Sequence, residues 1–191
     1  VKSLATLPMS ISVIGIAIGA IIATKVMSLV GRKYGFILAS IGNSLVSILA
    51  AYSIMEQNFI LFCFANFFIG VGMAFTHQYR FAAAESVEKS MAPKAISIIL
   101  FGGIISAFLG PSLANNSKDL VSENLYVGSY LVLALLTFIP TFLFLFYESK
   151  TKIVNNLQYS GRSYIELILQ PRFIQAIAAS SFGYAIMTFL M

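Results

Sequence analysis

Long apolar runs alternate with short polar connectors along the whole chain. Six runs are long enough to cross a bilayer, at Leu7–Thr24, Tyr34–Met55, Phe59–Thr76, Ala95–Ala114, Tyr126–Tyr147 and Phe173–Met191. A membrane helix needs about 20 mostly apolar residues to cross about 30 Å of hydrocarbon. The pattern therefore predicts an all-α fold, a polytopic transmembrane helical bundle with about six membrane spans.

The composition supports lipid as the solvent of this chain. Only 10% of the residues are charged, 59% are hydrophobic, and the mean hydropathy is +0.89. A soluble domain carries about 25% charged residues, so a soluble version of this chain would lack polar groups to cover its surface. Buried core helices of a large soluble protein are therefore disfavoured.

Lysine and arginine residues are concentrated on one side of a chain with six spans. That side holds nine of them, with Lys25 at its edge: Arg32, Lys33, Arg80, Lys89, Lys94, Lys150, Lys152, Arg162 and Arg172. The other side holds Lys2 and Lys118. Because cytoplasmic loops are enriched in basic residues, we predict a multi-pass protein of the plasma (cell inner) membrane with both chain ends outside.

The longest polar interval lies between the fifth and sixth runs. It divides the chain into a bundle of five spans over residues 1–147, a cytoplasmic linker over residues 148–172, and one further span over residues 173–191.

Several classes of function lack the residues that they need. The cations are spread over connectors rather than gathered on one face, which argues against a nucleic-acid partner. Cys63 is the only cysteine and His77 the only histidine, so there is no Cys/His metal pattern. No phosphate-binding loop, catalytic triad or carboxylate pair is present. We predict no enzyme, no catalytic residues, no metal site and no cofactor.

The turn between the first two runs reads SLVGRKYGF and holds two adjacent cations. It resembles the signature of the major facilitator superfamily (MFS) of transporters, Gly-x-x-x-Asp-Arg-x-Gly-Arg-Arg/Lys, which joins that family's second and third helices. Three positions match its end, namely Gly31, Arg32 and Lys33. Three positions depart from it, since Gly, Asp and Arg are replaced by Thr24, Ser28 and Leu29.

Two later runs are similar to further motifs of the same family. FCFANFFIGVGMAF resembles the fourth-helix pattern Arg-x-x-x-Gly-x-Gly, with Gly70 and Gly72 matching and Asn66 in place of Arg. FGGIISAFLGPSLANN resembles the fifth-helix motif that ends Gly-Pro-x-x-Gly-Gly. Gly110 and Pro111 match it, while glycines are replaced by Ser106, Ala114 and Asn115. The order and spacing imply family helices two to seven of twelve, an incomplete MFS-like bundle.

The resemblance implies a secondary active transporter that moves a small solute by alternating access. Its partners would be the lipid bilayer, a small-molecule solute, a proton or other coupling ion, and the remaining helices of the full-length transporter. The Gly-Pro motif resembles the antiporter version, which favours efflux of small organic compounds. The absence of the family's Arg at Asn66 and of its Asp at Ser28 argues against proton coupling. The alternative is a truncated or decayed transporter remnant with no independent transport activity.

The resemblance also assigns a cytoplasmic gating motif to Gly31, Arg32 and Lys33. Glu85 lies in the connector after the third run, where it either belongs to a solvated charge cluster or pairs with Arg80 or Arg32 across this gate. Candidate translocation residues lie on the second and third runs. At about 100° per residue, Asn66, His77 and Arg80 share one helix face.

Each translocation candidate has a structural alternative. Arg80 reaches the headgroups as an anchor or contacts solute. His77 makes an interfacial hydrogen bond or relays a proton. Asn43, with three serines on the same run, joins helices or contacts solute.

Small residues recur every fourth position on the fourth run, at Gly102, Ser106, Gly110 and Ala114. Such stripes let membrane helices approach closely, and Gly15 with Gly19 forms a shorter one on the first run. Pro111 interrupts the helical hydrogen-bond ladder. The stripe, Pro111, Gly70 and Gly72 serve either close helix packing or a hinge for alternating access.

Overall fold

The fold is built almost entirely of α-helices. The computed structural model describes residue 4 and residues 6–121, 125–147 and 169–190 of the 191-residue chain. These ranges contain helices and turns but no strand. The helices are α1 (Leu7–Val30), α2 (Arg32–Met55), α3 (Phe59–Thr76), α4 (Tyr79–Ser86), α5 (Ala92–Ser117), α6 (Val127–Leu145) and α7 (Pro171–Leu190).

Each predicted span overlaps one of these helices. Five segments are long and apolar enough to cross a membrane, the third of them being α3 continued by α4: Leu7–Val30, Arg32–Met55, Phe59–Ser86, Ala92–Ser117 and Val127–Leu145. The helix α7 covers most of the sixth predicted span. The prediction of an all-α bundle with several membrane spans is confirmed.

Several helices extend beyond the apolar runs that predicted them. α1 continues past Lys25 to Val30, and α2 begins at Arg32 rather than Tyr34. An apolar run marks only the part of a helix in hydrocarbon, whereas the helical hydrogen bonds continue into the polar headgroup region. Polar residues therefore make these helices longer than the apolar runs that predicted them.

A single glycine joins α1 to α2. Gly31 has φ 84° and ψ 162°, in a region that side chains with a Cβ rarely adopt. Its N–H donates to the carbonyl of Met27 at 3.1 Å, and its own carbonyl accepts from the N–H of Gly35 at 3.0 Å. The turn therefore places Arg32 and Lys33 directly in the first turn of α2.

Close contact between α1 and α3 depends on glycine. A Cβ at Gly15 would overlap the carbonyl oxygen of Phe67, and a Cβ at Gly70 would overlap that of Ser12. A Cβ at Gly19 would lie 2.7 Å from the Cα of Val71. The predicted close packing at Gly15 and Gly19 is confirmed.

The helix α2 packs against both α3 and α6. Its buried residues are mostly small, namely Gly35, Phe36, Ser40, Ser44, Ser47, Ala50, Ala51 and Ser53. The hydroxyl of Ser44 donates to the carbonyl of Ala134 in α6 at 2.9 Å. Because lipid provides no hydrophobic drive between helices, small residues and hydroxyl hydrogen bonds stabilise this contact.

The helix α5 is held mainly at its ends. It follows α4 at one end, and at the other the hydroxyl of Ser129 in α6 donates to the carbonyl of Ala114 at 2.7 Å. Ser117 is its only buried residue. A Cβ at Gly102 or Gly110 would meet no atom within 4 Å among the described residues. The packing and hinge roles of Gly102, Ser106, Gly110 and Pro111 stay predictions.

The chain divides into two compact units, Val1–Ile153 and Val154–Met191. Among the described residues, the first unit contains α1 to α6 and the second contains α7. Most of the predicted linker, residues 148–168, lies outside the described residues. The division into bundle, linker and further span therefore stays a prediction.

Candidate functional site

An ion pair joins α2 to α4 at the end of the bundle assigned to the cytoplasm. Nη2 of Arg32 lies 2.5 Å from Oε1 of Glu85, and their side chains are 17% and 45% exposed. Arg32 stands in the first turn of α2, where the helix dipole disfavours a cation. The carboxylate of Glu85 offsets both the charge of Arg32 and the positive end of this dipole.

The sequence left two partners open for Glu85, and the structure pairs it with Arg32. Arg80 is exposed, and its guanidinium carbon lies 5.1 Å from the centre of the Phe81 ring. Nη1 of Arg32 is buried and has no hydrogen-bond partner among the described residues. Arg32 is thus held on one side by Glu85 and enclosed on the other.

Lys33 connects α2 to α6. Its Nζ donates to the carbonyl of Leu145, the last residue of α6, at 2.7 Å. The final carbonyls of a helix lack partners within the helix and carry its negative dipole end, so a cation there is stabilising. The two adjacent cations of the turn therefore bind different helices, Arg32 holding α4 and Lys33 holding α6.

An aromatic cluster lies in the same region and joins the same three helices. The Phe36 ring centre of α2 lies 4.9 Å from that of Tyr79 in α4 and 5.0 Å from that of Phe144 in α6. Tyr79 and Phe144 are 5.3 Å apart. Each such pair contributes about 0.5–1.5 kcal/mol beyond burial. The cluster fixes the start of α4 and so the position of Glu85.

Sequence reasoning missed this cluster, along with α4 itself. Its members, Phe36, Tyr79 and Phe144, stand near the ends of three different apolar runs. The available signal was that all three aromatic residues stand near run ends that are predicted to lie on the same side of the membrane. Nothing in the spacing distinguished them from the chain's other aromatic residues, because the contacts depend on how the helices pack.

The four candidate translocation residues do not form one cluster. Asn66 is half-buried within α3, and its Nδ2 donates to the carbonyl of Phe62 at 2.8 Å. His77 and Arg80 are exposed near the end of the bundle that is assigned to the cytoplasm. At 1.5 Å per residue, His77 lies about 16 Å from Asn66 along the helix axis.

Asn43 lies elsewhere, at the contact between α2 and α3. A Cβ at Gly72 would overlap its side-chain amide, and its Oδ1 is buried without a hydrogen-bond partner among the described residues. Gly72 therefore leaves the space that this amide fills. Within the described ranges, no group of three His, Cys, Asp or Glu residues could hold a metal.

Comparison with known proteins places this architecture in a family. The sequence profile of the Major Facilitator Superfamily matches residues 2–191. The chain is 32% identical over 192 residues to the riboflavin transporter RfnT of Brucella anthropi, covering 99% of this chain and 48% of that protein. The chain thus spans about half the length of this relative. No solved structure matches.

Both matches are to transporters rather than to enzymes, as the sequence predicted. The family profile extends over nearly the whole chain, through the Gly-Arg-Lys turn and the glycine-containing third and fourth predicted spans. This 191-residue chain of membrane-spanning helices belongs to the Major Facilitator Superfamily.

Proposed function

We propose that the protein is a secondary active transporter that moves a small organic solute across the plasma (cell inner) membrane by alternating access. In this proposal, residues 1–147 form one helical bundle, residues 148–172 a linker, and residues 173–191 the first helix of a second bundle. The observation that carries the proposal is the Arg32–Glu85 ion pair, which starts from the turn that resembles the family's signature.

The geometry supports a gating role for this end of the bundle. Gly31 allows the turn, Arg32 binds Glu85, and Lys33 binds the end of α6. These contacts bind α4 and α6 to the start of α2. A change that moves α4 must break an ion pair that is partly shielded from water. The pair therefore biases the equilibrium between states in which this end is closed or open.

The solute is proposed from the relative. That protein is named a riboflavin transporter, so riboflavin is the first solute to test on this chain. The Gly-Pro sequence at Gly110 and Pro111 favours efflux as the direction. The energy would come from a solute or ion gradient, and Asn66 and Ser28 argue against protons. Asn66, His77 and Arg80 are proposed to contact the solute or coupling ion, and Asn43 is the fourth candidate.

Riboflavin flux in both directions tests the proposal. The gene that encodes the chain is expressed in cells, and flux is measured in these cells and in inside-out vesicles prepared from them. Matched samples carry either Arg32→Gln or the empty vector. We expect the riboflavin flux to exceed that of the empty-vector samples, and we expect Arg32→Gln to change this flux. Flux at the empty-vector level for riboflavin and a panel of small organic solutes would support the transport-inactive remnant instead.

A further inference from the structure

Four of the cations at the cytoplasmic end of the bundle fall into two groups. Arg32 and Lys33 each have a partner on the protein, Glu85 and the carbonyl of Leu145. Lys89 and Lys94 are exposed, and neither side chain makes an ion pair or hydrogen bond with another described residue. Arg32 and Lys33 therefore stabilise contacts within the bundle, whereas Lys89 and Lys94 face outward.

The outward-facing lysines belong to a segment that is exposed almost throughout. From Val87 to Lys94, every residue except Ala92 is exposed. Two of these residues are apolar, with Val87 41% and Met91 45% exposed. The N–H of Met91 donates to the carbonyl of Glu88 at 2.8 Å, which holds the chain in a turn beside Lys89. We call Val87, Lys89, Met91 and Lys94 the connector surface.

This combination fits the boundary of a membrane. The connector surface follows the span Phe59–Ser86 and leads into the span Ala92–Ser117, so it lies where hydrocarbon meets water. Apolar side chains are stable at the depth of the headgroups, and lysine side chains extend from there towards the lipid phosphates. Glu88 is the one acidic residue in this segment, so the segment carries a net positive charge.

We propose that the connector surface binds the headgroups of anionic phospholipids. Lys89 and Lys94 contact the phosphates, and Val87 and Met91 insert beside them at the acyl boundary. Basic residues next to membrane spans attract anionic lipids. Because both lysines are free of protein partners among the described residues, binding a headgroup breaks no described ion pair or hydrogen bond. The proposal does not depend on the transport function.

The chain offers a local reporter for this test, because it contains no tryptophan. Met91→Trp introduces one fluorophore at the connector surface, with any tryptophan outside residues 1–191 replaced by phenylalanine. Quenching is measured in bilayers that contain brominated phosphatidylglycerol or brominated phosphatidylcholine. The ratio of the two quenching curves gives the relative binding constant of the anionic lipid at residue 91.

We expect phosphatidylglycerol to be preferred by at least about fivefold, the effect of one lysine near the surface. Lys89→Gln with Lys94→Gln, or 1 M salt, should reduce the preference towards one. The matched control is Leu120→Trp at the opposite end of α5, where the charges of Lys118 and Asp119 cancel, so this position should show no preference. Equal binding of the two lipids at residue 91 would overturn the proposal, as would a preference that survives loss of both lysines.

Discussion

Gly72 of α3 faces the side-chain amide of Asn43 of α2 so closely that an added Cβ would overlap it. The contact explains why a glycine and a small polar residue meet between two membrane helices. It also places Asn43 in the helix contact rather than beside the exposed His77 and Arg80.

Gly72→Ala should therefore lower stability by about 1 kcal/mol, the lower end of the range for overpacking. The cost is small because the overlapping atoms belong to a side chain that can rotate. Adding Asn43→Ala should restore most of the loss, since Oδ1 of Asn43 has no hydrogen-bond partner among the described residues. Thermal unfolding in detergent measures both variants. Additive losses in the double variant would show that the two residues do not share this contact.

Gly15→Ala should be more damaging than Gly72→Ala. Its Cβ would overlap the backbone carbonyl of Phe67, and backbone cannot rotate away, so α1 and α3 must separate. We expect a loss of about 1–3 kcal/mol. The matched control is Gly102→Ala, whose Cβ would meet no atom within 4 Å among the described residues. Equal melting temperatures for Gly15→Ala and Gly102→Ala would contradict the close approach of α1 and α3.

The Arg32–Glu85 pair can be tested by exchanging its charges. Arg32→Glu alone places two carboxylates together and should change the rate of the proposed transport. Arg32→Glu with Glu85→Arg restores the pair and places an acid at the start of α2, where the helix dipole favours it. Since Glu85 is 45% exposed, the ion pair contributes about 1 kcal/mol or less to stability. The loss of stability in Arg32→Glu should be larger than this contribution, because the two carboxylates repel each other.

Solute flux and melting temperature are measured side by side on these variants. A double variant that recovers its melting temperature but not its flux would show that Arg32 acts on solute directly rather than through Glu85.

The sequence predicted most of the fold because its strongest signals are local. Apolar runs fix where helices cross the membrane, and the spacing of Gly15 and Gly19 marks a face for close packing. Contacts between residues on different helices cannot be predicted from such local signals. The sequence placed Glu85 near both Arg80 and Arg32, and only the course of α4 selects Arg32. Likewise, no spacing rule indicates that Asn43 faces Gly72 or that Lys33 reaches Leu145, since each depends on how separate helices pack.

Lys33 provides a test of how α6 is held. Lys33→Met keeps the length of the side chain but removes the cation that binds the carbonyl of Leu145. We expect a loss of about 0.3–1 kcal/mol, the contribution of a cation at a helix C-terminus. Lys33→Arg should retain most of the stability because it keeps the charge. Equal losses in both variants, measured by thermal unfolding, would show that side-chain shape rather than charge matters at this position.

The orientation of the bundle can be measured directly because Cys63 is the only cysteine and is buried. In a Cys63→Ala background, Ser90→Cys places one thiol in the exposed connector before α5, and Leu120→Cys places one just beyond its other end. The basic residues assign Ser90 to the cytoplasm. An impermeant maleimide should therefore label Leu120→Cys in intact cells and Ser90→Cys only after the membrane is opened. Labelling of Ser90→Cys in intact cells with protection of Leu120→Cys would reverse the predicted topology and place the Arg32–Glu85 ion pair at the outer face.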